Sequence, residues 1–89
     1  MARYIIESPH TKEECLRALD EELEKGKDVL GKFEFGCKAG DHTAYAIVDA
    51  DSKNDALNLI PAFLQDKARV VEVYKITPEM IRSFHTKAA

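Results

Sequence analysis

No stretch of this chain approaches the ~20 consecutive apolar residues that a helix needs to cross a bilayer, which excludes a membrane-spanning helix. Only two cysteines are present, Cys15 and Cys37, too few for a disulfide scaffold. Basic charge is not in excess. Thirteen Lys and Arg stand against sixteen Asp and Glu, for a net charge of −3, which argues against a nucleic-acid backbone as the main partner. No repeat, low-complexity tract or linker interrupts the chain. The first residues, Met1-Ala2-Arg3-Tyr4, carry no signal-type apolar region, so a cytoplasmic location with reduced thiols is expected.

What is present is an ordinary globular composition: 89 residues, 45% hydrophobic and 33% charged. That supports one domain spanning residues 1–89 and argues against disorder. A chain this short buries only ~60–65% of its unfolded surface, so a partner subunit is worth looking for. Five side chains suit soft-ligand chemistry: His10, Cys15, Cys37, His42 and His85.

The residue patterns divide the chain into alternating elements. Arg3 to Ser8 is a β-prone run closed by Pro9. Thr11 and Glu14 form a capping box, in which each side chain reaches the other's amide. Leu16, Leu19 and Leu23 follow at helical spacing, and Gly26 supplies a left-handed stop, so a helix is expected from Lys12 to Lys25. Phe33, Phe35 and Cys37 alternate with polar or small residues as in a strand. Ala39-Gly40-Asp41 is a turn, and Thr43 to Ala50 a second β-rich run. Ser52 caps a helix whose apolar stripe is Ala56, Leu57, Leu59, Ile60, Phe63 and Leu64. Pro61 should bend or split it near Asn58 to Ile60. Arg69 to Ile76 reads as the last strand, and Thr77-Pro78 starts a terminal helix.

The order is β-α-β-β-α-β with a C-terminal helix, an α+β class of ferredoxin-like βαββαβ sandwich with a four-stranded antiparallel sheet. Two helices cover one face of such a sheet. Tyr4, Ile6, Phe33, Phe35, Val71 and Val73 are assigned to that covered face. Ile5, Tyr45, Ile47, Tyr74 and Ile76, mixed with Arg3, Glu7, Glu34 and Glu72, fall on the other. Left bare, the second set would be an unusual apolar patch, and a homodimer packed sheet to sheet would cover it.

This element order, over the whole chain, resembles the dimeric α/β-barrel superfamily that includes muconolactone-isomerase-like proteins. The strings Pro9-His10-Thr11, Cys37-Lys38-Ala39-Gly40-Asp41-His42-Thr43 and Phe84-His85 resemble those of an uncharacterised family of small bacterial or archaeal proteins. The resemblance implies a pocket between sheet and helices or between subunits. It implies no activity.

In this topology His10, Cys15, Cys37 and His42 gather at one end of the sheet, the end reached by the first strand. An even-numbered hairpin loop puts Cys37 and His42 on one face, whereas a three-residue loop separates them. A metal site of His10, Cys37 and His42, with Cys15 as fourth member, would suit zinc, nickel or copper. The same residues also have ordinary uses, since cysteine is often simply buried and a histidine can hydrogen-bond a turn. The Met-x-Cys-x-x-Cys loop of ferredoxin-like metal chaperones is absent. Cys37 and His42 also form a candidate nucleophile and base. A third candidate is a small-molecule site on the open face, formed by Glu7, Tyr45, Glu72 and Tyr74, with Glu7 and Glu72 as acid and base or, alternatively, in salt bridges with Arg3 or Lys75. Binding of a small ligand or metal is the leading expectation. The alternatives are a cofactor-free isomerase- or oxygenase-like enzyme working in a dimeric barrel, and a subunit with only an assembly role. An RNA-recognition domain is excluded by the acidic sheet residues, and an acylphosphatase by the first loop, Ser8-Pro9-His10, which has no Gly-rich phosphate cradle.

Overall fold

Side-chain caps set where two of the helical segments begin. Thr11 Oγ1 accepts from the Glu14 amide at 3.2 Å, and Glu14 Oε1 accepts from the Thr11 amide at 2.9 Å, which completes the capping box. Ser52 Oγ accepts from the Asp55 amide at 3.1 Å. Each cap satisfies an amide that the first turn leaves without an intrahelical partner. The computed structural model describes residues 1–88.

The chain forms β1 (Ala2–Pro9), a 3-10 turn over Lys12–Glu14, α1 (Cys15–Lys25), α2 (Lys27–Leu30), β2 (Glu34–Phe35), a 3-10 turn over Cys37–Ala39, and β3 (Thr43–Ala50). Then follow α3 (Lys53–Leu57), a 3-10 segment over Ala62–Lys67, β4 (Arg69–Val73) and α4 (Pro78–Ala88). It is an α+β arrangement with one four-stranded open sheet in the order β2-β3-β1-β4, every pairing antiparallel. The helical stretch from Lys12 to Lys25 stands as expected, with a 3-10 first turn. Pro61 splits the second helical region as expected: α3 stops at Leu57, and a 3-10 segment resumes beyond the proline.

The core lies between one sheet face and the helical segments. Tyr4, Ile6, Ala44, Ala46, Val48, Ala50 and Val70 supply the sheet side, and Ala18, Phe33, Ala56, Ile60 and Leu64 the other. The alternation along β3 is regular, with even residues buried, Tyr45, Ile47 and Asp49 exposed and Thr43 half-buried, as one covered face requires.

Several expectations are corrected. On β4 the inward residue is Val70, not Val71 or Val73. Ile6 pairs with Val70, whereas Ile5 pairs with Val71 and Arg3 with Val73. Residues directly opposite in a ladder share a face, so Val71 and Val73 join Ile5 on the open side. β4 also ends at Val73, which leaves Tyr74 and Ile76 beyond the sheet. β2 has only two residues, and Cys37 lies in the turn after it rather than in the strand. The cause is Gly36, whose carbonyl accepts from the Ala39 and Asp41 amides at 2.9 and 3.0 Å and folds the chain back at once. Gly26 has φ 125° and ψ 153°. That is a glycine-only extended conformation rather than the left-handed helical one. On α1 the leucine spacing is helical, but Ala18 and Glu22 turn inward while Leu16 and Leu23 are exposed.

The open sheet face carries Ile5, Tyr45, Ile47, Val71 and Val73 in adjoining positions, with Ile47 64% exposed. α4 projects from the body, with Ile81 and Phe84 about half exposed. The radius of gyration is accordingly 16.1 Å, against about 12 Å for a compact chain of this length.

Candidate metal centre

Three chain segments meet where β1 ends and β3 begins. Antiparallel pairing sets Pro9 opposite Thr43, so the residues just outside that pair, His10 and His42, are neighbours. The His10 amide donates to the His42 carbonyl at 2.9 Å. Their rings sit edge to face with centroids 5.8 Å apart. The capping box turns the chain after His10 so that α1 opens with Cys15. The Gly36 turn sends Cys37 back toward the same point, and a Cβ on Gly36 would lie 2.7 Å from the Asp41 carbonyl oxygen, so only glycine permits this path.

The result is a cluster of two thiols and two imidazoles. Cys15 Sγ lies 3.4 Å from Cys37 Sγ, and Cys37 Sγ lies 3.5 Å from His10 Nε2. One ligating atom from each of His10, Cys15, Cys37 and His42 can be chosen so that all four lie within 4.8 Å of one another. His10 is buried and the other three are half-buried. His10 Nδ1 and His42 Nδ1 are buried and have no hydrogen-bond partner among the described residues. Such orphaned nitrogens cost stability unless something occupies them.

The electrostatics favour the neutral forms of His10 and Cys37. Burial, and then the neighbouring His42, hold the His10 imidazole below its ordinary 6.5, against the opposing pull of Glu14, the Ser8 carbonyl and Asp41. A neutral imidazole offers the lone pair that a metal requires. Burial and the adjoining Cys15 thiol push the Cys37 thiol up. That is the reverse of activation, so Cys37 is not poised as a free nucleophile. The imidazole at hydrogen-bonding distance from Cys37 is also His10, not His42. The nucleophile-and-base pairing of Cys37 with His42 is therefore corrected.

Every member of the His10, Cys37, His42 set is brought to this centre, and Cys15 with them. The separation of Cys15 and Cys37, 22 positions apart in sequence, follows no metal-ligand spacing, and only the topology could have joined them. His85 lies on the projecting α4, apart from the cluster.

The open-face set does not converge. Glu7 pairs across the ladder with Arg69 and makes a salt bridge to it at 3.4 Å. Arg3 instead pairs with Asp49 at 3.6 Å. Glu72 stands opposite Tyr4, on the other sheet face from Glu7, and Tyr74 lies past the end of β4 beside a hollow lined by Arg3, Asp49 and Glu72. Tyr45 does lie near Glu7. The two border a hollow of about 230 Å³ with Pro9, Thr43, Lys67 and Arg69. Sequence reasoning missed the hydroxyl of Tyr45, which donates to Asp41. That bond, ahead of one from Thr43, holds the Asp41 carboxyl below its usual range and raises the Tyr45 phenol. Their i,i+4 separation gave no signal, because Asp41 is in a loop and Tyr45 in a strand.

No family model matches the chain, and no curated protein or solved structure matches it. No helix among the described residues is long and apolar enough to cross a membrane.

Proposed function

We propose that this protein binds a transition-metal ion through His10, Cys15, Cys37 and His42, with zinc the best fit. The observation that carries this reading is the approach of four soft ligand atoms to within 4.8 Å of one another. Zinc bonds of ~2.3 Å to sulfur and ~2.0–2.1 Å to nitrogen, arranged tetrahedrally, set two sulfurs about 3.8 Å apart and a sulfur and a nitrogen about 3.6 Å apart. The 3.5 Å sulfur–nitrogen pair falls at that spacing, the 3.4 Å sulfur pair opens by about 0.4 Å, and the widest separation closes by about 1 Å. Copper and nickel share the ligand preference but favour other geometries.

Elemental analysis of untagged protein purified under reducing conditions is expected to give one metal ion per chain. Cobalt substitution should give the visible bands of a tetrahedral thiolate site, with loss of affinity in Cys37→Ser and His42→Ala. Absence of stoichiometric metal together with a featureless cobalt spectrum refutes the proposal.

The scaffold is proposed as a single ferredoxin-like domain of the dimeric barrel type, which the sheet order and the antiparallel pairings support. A homodimer would cover the exposed Ile47, Tyr45 and Val71. Light scattering tests this, and a monomer at micromolar concentration refutes it. A cytoplasmic, reducing setting would keep both thiols available. The hollow beside Glu7 and Tyr45 favours a second reading, a small ligand held on the open face close to the metal. Lys67 and Arg69 at its rim suit an anionic ligand.

A further inference from the structure

Cys15 and Cys37 are half-buried, unbonded thiols whose sulfurs are 3.4 Å apart. A disulfide requires ~2.05 Å. Neither cysteine is held in the sheet: Cys15 opens α1, and Cys37 sits in a one-turn helix flanked by Gly36 and by Gly40, which takes φ 87°. Closing the bond draws the sulfurs together by about 1.4 Å. We infer that the juxtaposed thiols of Cys15 and Cys37 form a reversible intramolecular disulfide, with a peroxide as oxidant, and that closing it ejects the bound ion. The second half of this inference rests on the metal-binding reading; the disulfide itself does not.

The Cys15 sulfur, as thiolate, attacks a peroxide oxygen. The O–O bond breaks, and the departing hydroxide takes up the thiol's proton and leaves as water. The second sulfur attacks the resulting sulfenic sulfur. An S–S bond forms, the S–O bond breaks, and the oxygen leaves as a second water with the second thiol's proton. Two electrons pass from the sulfurs to the peroxide oxygens. Sulfurs joined in this way are no longer thiolates, and a centre left with two imidazoles loses its hold on zinc.

Zinc-loaded and zinc-free protein are treated with a few equivalents of hydrogen peroxide. Intact mass, free-thiol count and released zinc are then followed together. The expected result is a loss of 2 Da and of both thiols per chain, with no cross-linked chains, zinc appearing in step with the mass change, and full reversal by dithiothreitol. Cys15→Ser and Cys37→Ser, checked for folding by circular dichroism, should instead add oxygen at the remaining thiol. Oxygen additions without the 2 Da loss in the parent protein overturn the inference, as do disulfide-linked chains. A disulfide that forms while zinc stays bound overturns the ejection step. If the disulfide forms in a protein that never holds zinc, the metal reading fails and the thiol pair stands. If zinc binds and no disulfide forms, the reverse holds.

Discussion

Replacing Glu22 with Gln should abolish a pH dependence of stability that the buried carboxyl imposes. Glu22 lies on the inner face of α1, four positions after Ala18, and is 3% exposed. Neither carboxyl oxygen has a hydrogen-bond partner among the described residues. Burial raises its pKa from the ordinary 4.5 to about 7, only partly opposed by Lys25. The folded protein therefore holds this proton over a range in which the unfolded chain has released it. Stability from this group is fully present below pH 4.5, declines as pH rises, and is gone above about pH 7. A displacement of that size corresponds to about 3 kcal/mol, as an upper bound. His10 works in the opposite direction, since its lowered pKa makes stability rise with pH near 6.5, so the difference between parent and variant is the quantity to read. Urea unfolding followed by circular dichroism, in reducing buffer with a chelator, should give similar stabilities for the parent and Glu22→Gln near pH 4.5. By pH 8 the variant should lead by up to about 3 kcal/mol. Parallel stability curves across that interval would refute the reasoning.

Gly36→Ala should cost about 1–3 kcal/mol in a thermal or urea melt and weaken cobalt binding as well, because its Cβ would press on the Asp41 carbonyl at 2.7 Å; unchanged cobalt affinity contradicts the role given to this turn. Ser52→Ala should cost about 1 kcal/mol through loss of the cap on α3 while leaving the cobalt spectrum unaltered, since α3 contributes nothing to the cluster. In ultraviolet titration, one tyrosine should ionise above the ordinary range and return to it in Asp41→Asn. If the titration is the same in both proteins, the hydroxyl of Tyr45 is not held by Asp41.

Much of this architecture could be read from local chemistry. Thr11 with Glu14, Ser52, Pro61 and the alternation of β3 all act within a few residues, and each is found where the sequence placed it. The failures involve information held elsewhere in the chain. Arg69-Val70-Val71-Glu72-Val73 has apolar residues at both parities, and only pairing with β1 decides which valine turns inward. The reach of β2 depended on Gly36 folding back against Asp41, a backbone contact that composition does not announce. The centre was legible as a convergence of His10, Cys15, Cys37 and His42 at one sheet end, because topology dictates it. The contact of Cys15 with Cys37 was not, since it depends on how a loop and a helix start are presented to each other.

The ligand positions also bear on how the molecule comes apart. His10 and His42 mark the ends of the stretch that an ion would clip. Such a clip restrains the unfolded chain over α1, α2, β2 and the loop that leads into β3, in the manner of a cross-link worth about 3–4 kcal/mol. It leaves residues 51–76, with α3 and β4, outside the loop. Metal loading should therefore slow amide exchange most in α1 and the loop before β3, and least in α3. The second half of the chain would become the first to open.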